Sequence, residues 1–190
     1  MSQEHIGQGL EALARVARDS SALTPQVSKL ALRYASVLRG GGTLFFCGNG
    51  GSAADAQHLA AEYVIRYSAN RPSLAAMALT TDSSILTAAG NDLGFDQVFA
   101  RQVEALCHPG DLLILHSTSG QSENLLAAAR VARSRGVTVA AWLGKGGGAL
   151  AELVDEAIIV PSEVTSLVQS IHMALEHLVV EVVERELFGS

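Results

Sequence analysis

Residues 43–52 read Thr-Leu-Phe-Phe-Cys-Gly-Asn-Gly-Gly-Ser, a short apolar run followed by a glycine-rich loop, and a helical pattern follows at 53–67. A continuous apolar run of this length is typical of a strand buried on both faces of a parallel sheet. The glycines would let the backbone approach a ligand closely, and Ser52 is expected to cap the helix. The alternative is a plain tight turn, and the glycine spacing matches neither the P-loop nor the dinucleotide-binding pattern.

The alternation of apolar runs and helical patterns continues to the end of the chain. Four further strands are predicted, at 74–79, 111–116, 138–143 and 157–160. Helical patterns precede the first strand and separate the others, and one long helix over 164–187 closes the chain. This order predicts an α/β fold, namely a five-stranded parallel sheet flanked by helices, with N-terminal helices and a long C-terminal helix. We expect one domain over 1–190, with a helical extension at 1–40 and an α/β core at 41–190.

The composition excludes several classes of protein. The chain has 190 residues, of which 48% are hydrophobic and 17% charged, and its net charge is −6. It is therefore too apolar for disorder and has no basic surface for nucleic acid or an anionic membrane. Two cysteines, Cys47 and Cys107, are too few for a disulfide framework, and the polar start lacks a signal-peptide pattern. We predict a cytoplasmic protein that binds neither nucleic acid nor membranes.

A second polar loop follows the predicted strand at 111–116. It reads Ser-Thr-Ser-Gly-Gln-Ser over 117–122, so that four hydroxyl groups precede the next helix. Hydroxyl groups and the free N–H groups of a helix N-terminus can hold a phosphate group without lysine or arginine. The alternative is ordinary helix capping by serine and threonine. Because ligands bind at the carboxyl ends of parallel strands, two such loops favour a site for a phosphorylated ligand.

Two helices carry residues that can bind a metal or move protons. His58 and Glu62 are four residues apart, so they share one face of the helix after the glycine loop. The last helix carries Gln169, His172 and His177, and its two histidines point about 140° apart, so they cannot both face one site. A histidine and a carboxylate on one face can bind zinc or transfer protons, although a surface pair is the commoner interpretation. The spacing does not decide which histidine of the last helix is functional.

The pair Asn91-Asp92 has two interpretations. It follows a predicted short helix at 83–89 and Gly90, which is expected to stop that helix. A polar pair in this position is usually a turn, and the alternative is a carboxylate near substrate hydroxyl groups.

A series of segments, in order along the chain from about residue 10 to Gly189, resembles one enzyme family. The segments are Cys-Gly-Asn-Gly-Gly-Ser-Ala-Ala-Asp-Ala-Gln-His at 47–58, Glu62, Arg71-Pro72, Leu86-Thr87, Gly90-Asn91-Asp92, Phe99-Ala100-Arg101-Gln102-Val103, Ser117-Thr118-Ser119-Gly120, Gln169 and His177. They resemble the phosphoheptose isomerases, which are enzymes with a SIS (sugar isomerase) domain.

The resemblance implies both a fold and a reaction. The fold would be a single flavodoxin-like SIS domain, assembled into a homotetramer with active sites between subunits. The reaction would convert sedoheptulose 7-phosphate to D-glycero-D-manno-heptose 7-phosphate, the first step toward nucleotide-activated heptose. The implied partner is thus a phosphorylated seven-carbon sugar, and the implied cofactor is one Zn²⁺ per subunit, with no nucleotide cofactor.

The resemblance also implies roles for individual residues. Glu62 and His177 match the family's catalytic acid/base pair, and Glu62 also contacts the substrate. The zinc ligands would be His58, Glu62, Gln169 and His177. The remaining substrate-binding residues would be Asn49, Gly50, Gly51, Ser52, Asn91, Asp92, Ser117, Thr118, Ser119, Ser122 and Gln169.

Aldose–ketose isomerisation explains why such residues are needed. A base must remove a proton from one carbon and return it to the neighbouring carbon through an enediol, and a second group must move protons on the oxygens. A carboxylate such as Glu62 suits the first task, and His177 suits the second. Glu62 cannot be a tight zinc ligand and a free base at the same instant, and the sequence leaves both roles open.

The sequence is compatible with two other functions. One is a non-catalytic SIS protein that binds the replication initiator or senses a sugar phosphate, although Glu62 and His177 favour an enzyme. The other is an isomerase of a different phosphosugar. The family usually has Arg-Ile-Gln-Glu before its last histidines, whereas this chain has Leu167-Val168-Gln169-Ser170.

Overall fold

The computed structural model describes residues 2–68 and 70–189, and its elements follow the predicted order. The α-helices of these ranges are α1 (Ser2–Asp19), α2 (Thr24–Arg39), α3 (Gly51–Val64), α4 (Ser83–Asp92), α5 (Ala100–Leu106), α6 (Glu123–Ser134), α7 (Gly148–Leu153) and α8 (Thr165–Phe188). The strands are β1 (Leu44–Gly48), β2 (Ala76–Ala78), β3 (Leu112–Ser117), β4 (Thr138–Leu143) and β5 (Glu156–Ile159). All five predicted strands are confirmed.

The strands form one parallel sheet in the order β2-β1-β3-β4-β5. The two strands that precede the polar loops, β1 and β3, lie side by side, and Gly48 is in register with His116. The predicted five-stranded parallel sheet flanked by helices is therefore confirmed. Its topology brings the glycine loop (residues 48–52) and the second polar loop (residues 117–122, the serine loop) to the same edge of the sheet.

Apolar side chains cover both faces of the sheet. On one face, α2, α3 and α8 pack over residues such as Leu30, Phe46 and Trp142, which are at most 1% exposed. On the other face, helices including α5 and α6 bury residues such as Leu113 and Leu125. Each large apolar side chain contributes roughly 1.5–3 kcal/mol when fully buried. Two such layers explain why the strands read as continuous apolar runs.

Two predicted helix boundaries are wrong. Helix α3 begins at Gly51, after Gly50 with a positive φ of 57°, so Ser52 lies inside the first turn and does not cap it. Helix α4 continues through Gly90 to Asp92, and its N-cap is Asp82, whose carboxylate accepts a hydrogen bond from the Ile85 N–H. Glycine lowers helix stability by only about 1 kcal/mol, so neighbouring contacts can carry the helix across it.

Helix α8 is long and apolar enough, by length and composition, to cross a membrane. In the fold it packs against α2 and α3, and its buried residues include His172, Glu176 and Glu184. All three ionisable side chains have partners within the protein. These features are typical of a core helix.

Both cysteines are free and buried. Burial raises the pKa of both thiols, that of Cys107 to about 12. Both side chains therefore stay protonated and act as small apolar core residues.

Candidate active site

An open cavity of about 330 Å³ lies at the carboxyl ends of β1 and β3. Its lining residues come from the two polar loops and from the start of α8, namely Asn49, Gly51, Ser52, His116, Ser117, Thr118, Ser119, Ser122, Thr165 and Gln169. Seven of these were predicted as substrate-binding residues of the two loops, and Gln169 was predicted from the last helix. The loops therefore meet as the parallel sheet requires.

The cavity suits a phosphate group held by neutral donors. No lysine or arginine is among its lining residues, which instead offer several hydroxyl groups. The Ser117 Oγ accepts a hydrogen bond from the Gly120 N–H at 3.0 Å, which leaves its hydroxyl proton available to a ligand. Helices α3 and α6 both begin at these loops, so their N-terminal N–H groups add a favourable field for an anion.

A reciprocal amide pair joins the two loops. Asn49 and Asn124 each donate to the other's side-chain oxygen, at 2.9 and 2.8 Å. Asn124 is buried in the first turn of α6, and it was not predicted as a site residue. Its only signal in the sequence is its position two residues after Ser122, since nothing local indicates a partner 75 residues away.

Gln169 lies against the glycine loop. A Cβ atom added to Gly51 would overlap the Gln169 side-chain amide, so a side chain here would displace Gln169 from its present position. Gln169 was predicted both to bind substrate and to ligate zinc. In the structure it lines the phosphate-type cavity, and its zinc role stays a prediction.

His58, Glu62 and His177 come together between α3 and α8. Their ligand atoms all lie within 4.8 Å of one another. His58 Nε2 lies 2.9 Å from His177 Nε2 and 3.3 Å from Glu62 Oε1. A contact of this length between two imidazoles requires one donor and one acceptor, so at least one ring is neutral. The helix-face pairing of His58 with Glu62 is therefore present, and α8 adds a third donor.

The two histidines of α8 have different environments, as their angular separation predicts. His172 is fully buried, and its Nε2 donates to the Leu143 carbonyl at 3.0 Å. Burial lowers the pKa of His172 to about 4, so it is neutral near pH 7. His177 instead faces His58, and the Tyr67 ring stacks on it with centroids 5.5 Å apart. His177 is thus the histidine of the candidate site, and Tyr67 is a neighbour that was not predicted.

A buried acid–base pair lies next to both parts of the site. His116 Nε2 is 2.7 Å from Glu176 Oε1, and the side chains are 0% and 1% exposed. Burial lowers the pKa of His116, but the charge and hydrogen bond of Glu176, together with smaller contributions that include the Asp55 carboxylate, outweigh burial, and the net shift is upward. Burial also raises the pKa of Glu176 and that of the nearby Asp55. The pair was not predicted, because its members stand 60 residues apart in apolar segments.

Asn91 and Asp92 are exposed at the end of α4. The Asn91 amide donates to the Asp92 carboxylate at 2.6 Å. Neither is among the residues that line the cavity, so their substrate-binding role stays a prediction.

Comparison with known proteins gives one consistent result. A family model for the SIS domain matches residues 10–144. The phosphoheptose isomerase of Akkermansia muciniphila is 48% identical over 97% of this chain and 94% of its own length. Among solved structures, a phosphoheptose isomerase from Francisella tularensis has a TM-score of 0.94 at 34% identity, and that from Neisseria gonorrhoeae has 0.91 at 38%. Each match covers 97% of this chain and 99% of the solved chain. The chain therefore belongs to the phosphoheptose isomerase family of SIS domain proteins.

Proposed function

We propose that the protein is an aldose–ketose isomerase that converts sedoheptulose 7-phosphate to D-glycero-D-manno-heptose 7-phosphate. The observation that carries this proposal is the grouping of His58, Glu62 and His177 between α3 and α8, the two helices whose N-terminal ends contribute to the hydroxyl-lined cavity. Proton-transfer groups beside an anion site are what the isomerisation of a sugar phosphate requires. The curated relatives carry the name phosphoheptose isomerase.

The phosphate group would bind at the two loops. Ser117, Thr118, Ser119 and Ser122 would donate their hydroxyl protons, with Ser52 on the glycine-loop side. The N-termini of α3 and α6 would add N–H donors. The chain of the sugar would then extend along Gly51 and Gln169 toward His177. Asn49 and Gly50 would contact it from the glycine loop, and Asn91 and Asp92 are proposed as further contacts.

The chemistry would divide between two side chains. Glu62 would remove the proton from C1 of the ketose as C2 takes up charge on its oxygen, which gives an enediol. Glu62 would then return the proton to C2, and the carbonyl group would form at C1. His177 would transfer protons between the two oxygens, and its contact with His58 at 2.9 Å would hold its ring in place.

The donor set of this group also fits a zinc ion. Two imidazole nitrogens and one carboxylate oxygen lie within 4.8 Å of one another, and zinc prefers these ligand types. The support for this site is that the side chains of His58, Glu62 and His177 converge from two helices, α3 and α8. We propose His58, Glu62, Gln169 and His177 as its ligands. When bound, the metal would act as a Lewis acid on a substrate oxygen.

We further propose a cytoplasmic homotetramer with active sites between subunits. The support is a set of large apolar side chains that stay exposed on the single chain, including Ile6 at 62%, Leu10 at 63% and Phe95 at 66%. Such side chains commonly become buried between subunits.

The test is direct conversion of substrate. Purified protein would be incubated with sedoheptulose 7-phosphate, and the aldose product would be followed by NMR. We expect the anomeric signals of the heptose 7-phosphate to appear and to reach equilibrium from either direction. Turnover of a pentose or hexose phosphate, with none of the heptulose, would instead assign a different phosphosugar.

A further inference from the structure

Arg71 and Glu184 form a buried ion pair close to the candidate acid/base pair. The Arg71 Nε donates to Glu184 Oε1 at 2.8 Å, and the two side chains are 1% and 2% exposed. Arg71 is part of the Arg71-Pro72 segment that resembles the family, but the proposed reaction gives it no role. Burying two charges costs several kcal/mol per ion unless their hydrogen bonds are well made, so the pair calls for an explanation.

The guanidinium of Arg71 also binds two carbonyl groups at the end of α3. Its Nη2 donates to the Glu62 carbonyl at 2.7 Å, and its Nη1 donates to the Tyr63 carbonyl at 2.8 Å. These carbonyls belong to the last turn of α3, where a cation is favoured by the helix dipole. Arg71 therefore holds the backbone of the very residue whose carboxylate is the proposed base.

The carboxylate of Glu184 holds the segment that follows α3. It accepts hydrogen bonds from the Tyr67 N–H at 3.2 Å, the Ser68 N–H at 3.3 Å and the Ser68 hydroxyl at 3.0 Å. Tyr67 in turn stacks its ring on His177, with an angle of 20° between the planes. One ion pair thus reaches the Glu62 backbone on one side and the His177 ring on the other.

We propose that the Arg71–Glu184 pair is a positioning clamp that sets Glu62 and His177 in their mutual geometry, with Tyr67 as the contact to His177. The inference rests on the proposed function and extends it to residues that do not touch the substrate. The clamp contacts neither polar loop among the described residues. Its loss should therefore affect the chemical step more than phosphate binding, since small displacements of reacting groups cost about 10²-fold in rate.

The first experiment replaces Arg71 with lysine. Arg71→Lys keeps the positive charge but cannot bridge Glu184 and both α3 carbonyls at once, because lysine lacks the planar fork. We expect kcat on sedoheptulose 7-phosphate to fall about tenfold or more, with KM within about threefold of wild type. Arg185→Lys is the matched control, since Arg185 is the next residue on α8 and pairs with Glu181 at the surface.

A second readout does not depend on turnover. The imidazole ring of His177 sits over the Tyr67 ring, so its NMR signals carry a ring-current shift that Tyr67→Leu removes and Tyr67→Phe retains. In metal-free Arg71→Lys, the His177 signals should move at least halfway toward their positions in Tyr67→Leu. Tyr67→Leu should itself lower kcat, whereas Tyr67→Phe, which keeps the aromatic ring, should leave kcat close to that of wild type.

The outcomes separate the clamp from the proposed function. If a folded Arg71→Lys variant keeps kcat within threefold of wild type, or its His177 signals do not move, the clamp is overturned. If Arg71→Lys does not fold, the Tyr67→Leu variant tests the clamp instead. An unchanged kcat in Tyr67→Leu would show that the contact between Tyr67 and His177 does not matter for turnover, and the clamp would be overturned. Absence of turnover in the wild type would defeat the proposed function instead, while the NMR shifts would still test the clamp.

Discussion

At the residue scale, Glu62 is held at both ends. Its carboxylate lies 3.3 Å from His58 Nε2, and its backbone carbonyl accepts a hydrogen bond from Arg71. Its side chain is 19% exposed, so substrate can reach it while most of it is shielded from water. A carboxylate fixed in this way loses little freedom when it removes a proton.

Replacing Glu62 with glutamine tests its role as the base. Glu62→Gln keeps the size of the side chain and removes the basic oxygen, so kcat should fall at least ~10²-fold. Binding of the sugar phosphate, measured by calorimetry, should survive because the loops are untouched. Glu104→Gln, at an exposed ion pair on α5, is the control. Turnover of Glu62→Gln within threefold of wild type would show that another group is the base.

The neutral His172 makes a prediction about stability and pH. Its pKa is about 4 in the fold against 6.5 for an unperturbed histidine, so the unfolded state takes up the proton first. The free energy of unfolding is therefore unaffected by the titration of His172 well above pH 6.5. It decreases as the pH falls from 6.5 toward 4, because the unfolded state binds a proton that the folded state does not. In urea unfolding, wild type should lose about 1–2 kcal/mol more than His172→Gln between pH 7 and pH 5. The exposed His108→Gln should follow wild type, and parallel curves for wild type and His172→Gln would contradict the assignment.

At the scale of elements, the pair His116–Glu176 links β3 to α8. The residue after His116 opens the serine loop, and the residue after Glu176 is His177. Both side chains are buried, and the His116 ring also lies 6.1 Å from the Phe46 ring. A polar pair in an apolar layer is stable only while both partners are present.

Single and double replacements of this pair should therefore differ. His116→Leu leaves the Glu176 carboxylate buried without its partner and should cost about 3 kcal/mol of unfolding free energy. The double variant His116→Leu with Glu176→Leu should recover at least half of that loss, because apolar side chains of similar size suit the layer. Urea unfolding of the two single variants and the double variant measures the coupling. Additive losses would show that the two side chains do not depend on each other.

The hydroxyl groups of the serine loop should contribute to binding of the sugar phosphate and little to the chemical step. Ser119→Ala and Ser122→Ala should raise KM about tenfold with little change in kcat, because the phosphate is held alike in the ground and transition states. Ser134→Ala, at the far end of α6, is the control. Dephosphorylated sedoheptulose should be a very poor substrate. Equal activity on the free sugar would remove the case for a phosphate site at either loop.

Local sequence patterns predicted the helices and strands well, but they did not predict which side chains pair between them. Continuous apolar runs such as 112–115 give the strands, because burial on both faces of a parallel sheet requires them. Parallel topology alone then brings the two loops together. The pairs Asn49–Asn124, His116–Glu176 and Arg71–Glu184 were missed, since each joins residues at least 60 positions apart. A carboxylate within an apolar helix, such as Glu176, is the only hint that such a pair exists.

At the scale of the whole molecule, the residues that stabilise the fold are different from those of the candidate metal group. The two apolar layers on the sheet contain none of His58, Glu62 and His177. Glutamine is an uncommon zinc ligand, so a site that includes Gln169 should hold the metal reversibly. The fold should therefore persist when the metal is removed.

Removal of zinc is the test at this scale. Chelation should lower turnover of sedoheptulose 7-phosphate while the unfolding temperature and the oligomeric mass, measured by light scattering, stay close to those of the untreated protein. His58→Ala should give the same result without a chelator, and returned zinc should rescue wild type but not this variant. Full activity in a sample shown to contain no zinc would leave Glu62 and His177 as a simple acid/base pair. Unfolding on chelation would instead make the metal structural, as in proteins that fold only with zinc bound, and the apolar layers would then be insufficient on their own.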